Sequence, residues 1–251
     1  MDTPLIQIEN LCKSFDGHEV LSGVSIDIPR GDSIVVIGQS GCGKSVLIKH
    51  LIRLLEPDSG RVLFDGEDIS RLKTGELTRL RQRFGMLFQS AALFDSLTVA
   101  ENVGLGLKES RRHSAAEVED IVSEKLDLVG LSDAADKSPA ELSGGMRKRA
   151  GLARAIAASP DVLLYDEPTT GLDPVTGDMI NQLIVDLREK LSVTSVAVTH
   201  DLTSAYRIAD RIVMLYNGRV QFAGTPDEIK SSTDPVVKQF ISGSATGPIQ
   251  V

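Results

Sequence analysis

The sequence predicts an α/β fold: a mostly parallel sheet, an antiparallel β-subdomain at the N-terminus and an inserted α-helical subdomain. Three patterns predict it. Val24, Ile26 and Ile28 alternate with Ser25 and Asp27, the period of two that marks a half-buried antiparallel strand. Continuous apolar runs at 34–37 and 162–165 read instead as strands covered on both faces, with helical periodicity between such runs. From about residue 95 to 160 the pattern is helix-rich, which places an insert between two strand-rich parts.

In chain order, Ile6, Ile8 and Leu11 open the antiparallel part. Residues 33–37 form the first buried strand, and a glycine loop follows. Leu47, Ile48, Leu51, Ile52 and Leu55 recur at helical spacing until Pro57 and Gly60 stop the helix. Val62, Leu63 and Phe64 form a short strand closed by the turn pair Asp65-Gly66. Val118, Ile121, Val122, Leu126 and Val129 share one helix face, and Gly130 ends it. A second helix of the insert starts at Ser143 and runs through Ile156. Beyond 162–165, Ile180, Leu183, Ile184 and Leu187 give another helix, and 193–199 and 212–215 give two more buried strands. Asn217-Gly218 turns the chain back into Val220, Gln221 and Phe222. The expected organisation is one domain over 1–241, with a core of 1–94 and 161–241, an insert at about 95–160, and a small, polar tail at 242–251.

Length and composition fit one large domain or two small ones with a substantial core: 251 residues, 41% hydrophobic and 25% charged. The net charge of −8 argues against a nucleic-acid partner, which would call for a basic footprint. Two cysteines, Cys12 and Cys42, make no disulfide framework and point to a reducing compartment. No apolar run reaches the ~18 residues of a membrane span, and Met1-Asp2-Thr3-Pro4 does not read as a signal peptide. Membrane contact would therefore run through a partner or a surface. His18, His50 and His113 have no metal-ligand spacing.

Gly38-Gln39-Ser40-Gly41-Cys42-Gly43-Lys44-Ser45 matches GxxxxGKS/T between an expected strand and an expected helix. Glycines allow main-chain N–H groups to converge on phosphate oxygens. Lys44 would reach the β- and γ-phosphates, the Ser45 hydroxyl would coordinate Mg²⁺, and Val46 is expected among the nucleotide-binding residues. Asp166 and Glu167 follow the apolar run 162–165, so Asp166 would hold Mg²⁺ and Glu167 would polarise the attacking water. These motifs define a P-loop NTPase core, and the absence of an NKxD-type motif argues against a GTPase.

Leu142-Ser143-Gly144-Gly145-Met146 resembles the LSGGQ signature of the ABC ATPases, with Met in place of the final Gln. Other family elements follow in order: Gln89 for the Q-loop, Gly171-Leu172-Asp173 for the D-loop, and His200 for the switch histidine, with Phe15 where the family stacks a ring on adenine. The resemblance runs from about residue 5 to about 240. It implies ATP and Mg²⁺ as ligands, with Gln89 sharing the metal and His200 contacting the γ-phosphate. It also implies a head-to-tail homodimer in which Ser143, Gly144 and Gly145 of one copy meet the γ-phosphate held by the other and Asp173 lies at the interface. The serine caps its helix, leaving the first amides of the two glycines for an anion. Arg147, Lys148, Arg149 and Arg154 read either as a solvated basic face or as groups near the partner's phosphates.

The stretch from Phe88 to Val103 and the run Met146-Arg147-Lys148-Arg149 are similar to the Mla/Mce-type ATPases of lipid transport. That subgroup implies an integral permease docking at the groove beside Gln89, a periplasmic Mce-type substrate-binding subunit and, in some members, a small STAS-domain regulator. It implies a place on the cytoplasmic face of the inner membrane. The ATPase of another importer and a non-transport ABC ATPase are the alternatives.

Overall fold

The computed structural model describes residues 3–250; Met1 and Asp2 of the leader reading and Val251 of the tail lie outside the described residues. The elements are β1 (Ile6–Phe15), β2 (His18–Ile28), β3 (Ser33–Ile37), α1 (Lys44–His50), β4 (Ser59–Phe64), β5 (Glu67–Asp68), α2 (Thr74–Gln82) and β6 (Phe84–Leu87). Then come α3 (Val99–Ser110), α4 (Ala115–Leu128), α5 (Gly144–Ile156), β7 (Val162–Asp166), α6 (Pro174–Leu191) and β8 (Thr194–Thr199). The chain closes with α7 (Leu202–Ile208), β9 (Arg211–Tyr216), β10 (Arg219–Gly224), α8 (Pro226–Lys230) and α9 (Pro235–Ser242). Two compact units share them: Met1–Leu77 with Val196–Val251, and Thr78–Ser195.

In the first unit an antiparallel sheet has the order β2-β1-β4-β5. Ile6 pairs with Ile28 and Ile8 with Ile26. All four are buried, whereas Ser25 and Asp27 face out, so the alternation sets the register. β3 is buried at every residue and runs parallel to β9, with Val36 opposite Val213. β10 returns antiparallel to β9 through Asn217 and Gly218, both at positive φ, as a two-residue hairpin requires.

In the second unit β6 and β7 pair in parallel, with Leu87 opposite Tyr165. Helices α3 and α4 start on full capping boxes, Thr98 with Glu101 and Ser114 with Glu117. α5 packs close to β6 because Gly85 has no side chain: a Cβ there would lie 2.1 Å from the Ala155 carbonyl oxygen. β8 then carries the chain from this unit back to the first.

Two expectations change. α1 ends at His50, not near Leu55. Arg53 adopts a left-handed φ of 50°, and its guanidinium donates to the carbonyls of Ile69 (3.4 Å) and Leu72 (2.8 Å), which pulls the chain off the helix axis. The tail folds back on its own chain: the Gln239 amide donates to the Ser244 and Ile249 carbonyls, its oxygen accepts from the Ile249 N–H at 2.6 Å, and Ile249 is buried.

Candidate nucleotide site

The glycine loop leaves β3 at Gly38, whose φ is 151°. A Cβ there would meet the Leu215 carbonyl oxygen at 2.4 Å and the Cys42 sulfur at 2.6 Å. Gly43, at φ 100°, caps α1 and sits so close to Val20 that a Cβ would come within 2.9 Å of its carbonyl oxygen. These two positions accept only glycine, which permits the tight curl of the loop. Lys44 arches over the curl: its ammonium donates to the carbonyls of Gly38 at 2.9 Å and Gln39 at 3.0 Å, and the residue is buried. Ser40 and Gly41 form the exposed rim, while Cys42, Ser45 and Val46 are half-buried.

Phe15 ends β1 with 40% of its surface open. The Lys13 ammonium lies 5.4 Å from the ring centroid and is itself tied to Asp58 at 2.7 Å. His200 follows β8 directly and is exposed, and Asp201 beside it caps α7.

In the second unit, Asp166 is the last residue of β7, and both Asp166 and Glu167 are buried. Glu167 has a left-handed φ of 50°, a strained conformation for a non-glycine residue. The Thr170 hydroxyl donates to its carboxylate at 3.0 Å. The Lys148 ammonium donates to the Glu167 carbonyl at 3.0 Å and to the Gln89 carbonyl at 2.5 Å. Gln89 exposes its side chain while its main chain is held from α5. Arg154, six residues along that helix, donates to the carbonyls of Ala91 and Ala92 at 2.6 Å each, at positions where φ is 62° and 48°. Burial pulls Lys148 down to about 8, against the pull of the Asp166 and Glu167 charges.

Ser143 caps α5: its hydroxyl accepts from the Met146 N–H at 3.3 Å. Gly144 and Gly145 are the first two helical residues, and a Cβ at Gly145 would meet Thr176 at 2.6 Å. The glycine pair thus lets α5 start against the first turn of α6. Asp173 caps α6 through the amides of Val175 and Thr176 (3.0 Å each) and the Thr176 hydroxyl (2.5 Å). Those bonds, the hydroxyl's first, hold its carboxyl below the usual carboxylate range.

Of the basic residues of α5, Arg147 is exposed, Arg149 and Arg154 are half-buried and Lys148 is buried. All four donate to main-chain carbonyls: Arg147 to Leu142, Lys148 to Gln89 and Glu167, Arg149 to Val129 and Gly130, and Arg154 to Ala91 and Ala92. Sequence reasoning missed the Lys148 link and the Thr170 hydroxyl. Lys148 lies five residues past the Ser143 cap, on the inward side of α5, which was the available signal.

The family model described as ABC transporter matches residues 21–170. A protein from Mycobacterium leprae named "Probable ribonucleotide transport ATP-binding protein mkl" is 43% identical over 244 residues, 97% of this chain and 70% of that protein. The "Intermembrane phospholipid transport system ATP-binding protein MlaF" of Haemophilus influenzae is 39% identical over 250 residues, 100% of this chain and 95% of that protein. Among solved structures, a dimeric ATP-binding cassette in a post-hydrolysis state bound to ADP and Pi superposes with a TM-score of 0.81 at 33% identity, covering 88% of this chain and 98% of that one. The chain belongs to the ABC transporter ATP-binding family. It is the nucleotide-binding, ATP-hydrolysing subunit of an ABC transporter complex.

Proposed function

We propose that two copies of this chain close on Mg-ATP and drive an integral permease that moves phospholipid or a related lipid across the cell envelope. The observation that carries the lipid reading is the end-to-end match to a phospholipid transport ATP-binding protein, 100% of this chain against 95% of that one. The match to the ribonucleotide-transport relative leaves 30% of that protein uncovered, yet its identity is higher, so ribonucleotide is the second reading.

Lys44 and the loop amides bind the β- and γ-phosphates, Phe15 stacks on adenine, Glu167 takes the proton of the attacking water, and His200 holds the γ-phosphate. Ser45, Gln89 and Asp166 would hold the magnesium: their donors are a hydroxyl, an amide oxygen and a buried carboxylate, all hard oxygens suited to that ion. When bound, the ion offsets phosphate charge as the bond breaks. The α5 amides behind Ser143 take the γ-phosphate held by the other copy, which makes the nucleotide the link between copies.

No helix among the described residues is long and apolar enough to cross a membrane. We place the chain on the cytoplasmic face of the inner membrane through its permease, alongside a periplasmic Mce-type substrate-binding subunit and a small STAS-domain regulator. The acidic net charge of −8 supports no nucleic-acid partner. The complex, purified with its permease, should carry bound phospholipid, and phospholipid should raise its ATPase rate. Stimulation by ribonucleotides alone would transfer the assignment to the second reading.

A further inference from the structure

Lys148 is a lysine buried to 4% exposure inside a helix whose other basic residues are more open. Burying an ammonium is costly unless its donors are satisfied. Here both hydrogen bonds go to main-chain carbonyls, one on each of two segments far apart in sequence: Gln89 after β6, and Glu167 after β7. The β6–β7 pairing ends at Leu87 and Tyr165, two residues short of Gln89 and of Glu167. Lys148 bridges them where the sheet stops. Glu167 also needs a restraint, because its left-handed backbone is disfavoured by about 1–2 kcal/mol per residue.

We propose that Lys148 is a positioning residue for hydrolysis: its ammonium ties the Gln89 main chain to the Glu167 main chain and so fixes the direction of the Glu167 carboxylate. The inference rests on the reading of Glu167 as the general base. Thr170 fixes the carboxylate end of the same side chain at 3.0 Å, so Lys148 and Thr170 hold Glu167 at its two ends. Binding of ATP through the glycine loop does not draw on this link, whereas proton transfer at Glu167 does. A base displaced by about 1 Å costs on the order of 100-fold in rate.

The test uses the full chain with Mg-ATP and compares wild type, Lys148→Met, Lys148→Arg and Glu167→Gln. Lys148→Met keeps the stem volume and removes the donors. Its kcat should fall roughly 10- to 100-fold with KM for ATP within about two-fold of wild type. Lys148→Arg, which restores donors, should recover most of that loss. Amide hydrogen exchange at 88–92 and 167–170 should accelerate in Lys148→Met and return toward wild type in Lys148→Arg. A kcat for Lys148→Met within about two-fold of wild type overturns the proposal. So does an arginine variant as impaired as the methionine one, which would mean the donors are not what matters. If Lys148→Met does not fold, Lys148→Leu, which likewise lacks donors, is judged by the same limits. Equal rates for Glu167→Gln and wild type would sink the base assignment instead, a separate failure.

Discussion

Lys44 is anchored to two carbonyls of its own loop, so its ammonium is already oriented before any anion arrives. Lys44→Ala should abolish hydrolysis, a loss of several orders of magnitude in steady-state phosphate release; a rate near wild type would refute the phosphate-loop assignment. His50 carries a prediction in pH. Burial lowers its pKa, and its Nδ1 lies 2.7 Å from the Val46 carbonyl oxygen. A histidine whose folded pKa is lowered stabilises the fold above its unfolded pKa of about 6.5 and loses that contribution as pH falls below it. His50→Leu should therefore flatten the drop in Tm between pH 7.5 and pH 5.5, and a slope equal to wild type would count against it. At this scale motif spacing pointed to Lys44, Ser143 and Glu167, which the fold places on the loop carbonyls, at the α5 cap and just after β7. It did not reveal the role of Lys148: spacing to Leu152 and Ile156 puts it on the inward face, but nothing local shows that its ammonium meets the Gln89 and Glu167 carbonyls.

Helix boundaries follow their caps. Ser143 and Gly130 marked their helix ends correctly in the sequence, since capping is local chemistry. The end of α1 was misread because apolar spacing continues past His50 while Arg53 turns the chain through contacts with Ile69 and Leu72, which no local pattern carries. α2 left no apolar stripe to read, as Leu80 is its one buried residue. Thr98→Ala removes the side-chain half of the α3 capping box and should cost about 1 kcal/mol, read as a lower urea midpoint. An unchanged midpoint would show that packing of Val99 and Val103 alone holds the helix start.

At the scale of the whole chain, alternation and apolar runs were enough to separate the antiparallel β-subdomain from the parallel pairs, because register is set by which face is buried. The tail was not legible: residues 243–250 are mostly small and polar, and a buried side chain elsewhere in the chain, Gln239, hydrogen-bonds their main chain. Gln239→Ala leaves the Ile249 N–H without that acceptor and should destabilise the fold by about 1–3 kcal/mol. An unaltered Tm would mean the tail contributes nothing to stability. The central claim is that nucleotide joins two copies of this chain. Its most direct measurement is the sedimentation of Glu167→Gln with and without Mg-ATP: the account predicts a monomer without nucleotide and a dimer with it. A protein that binds Mg-ATP yet stays monomeric at every concentration tested would contradict it.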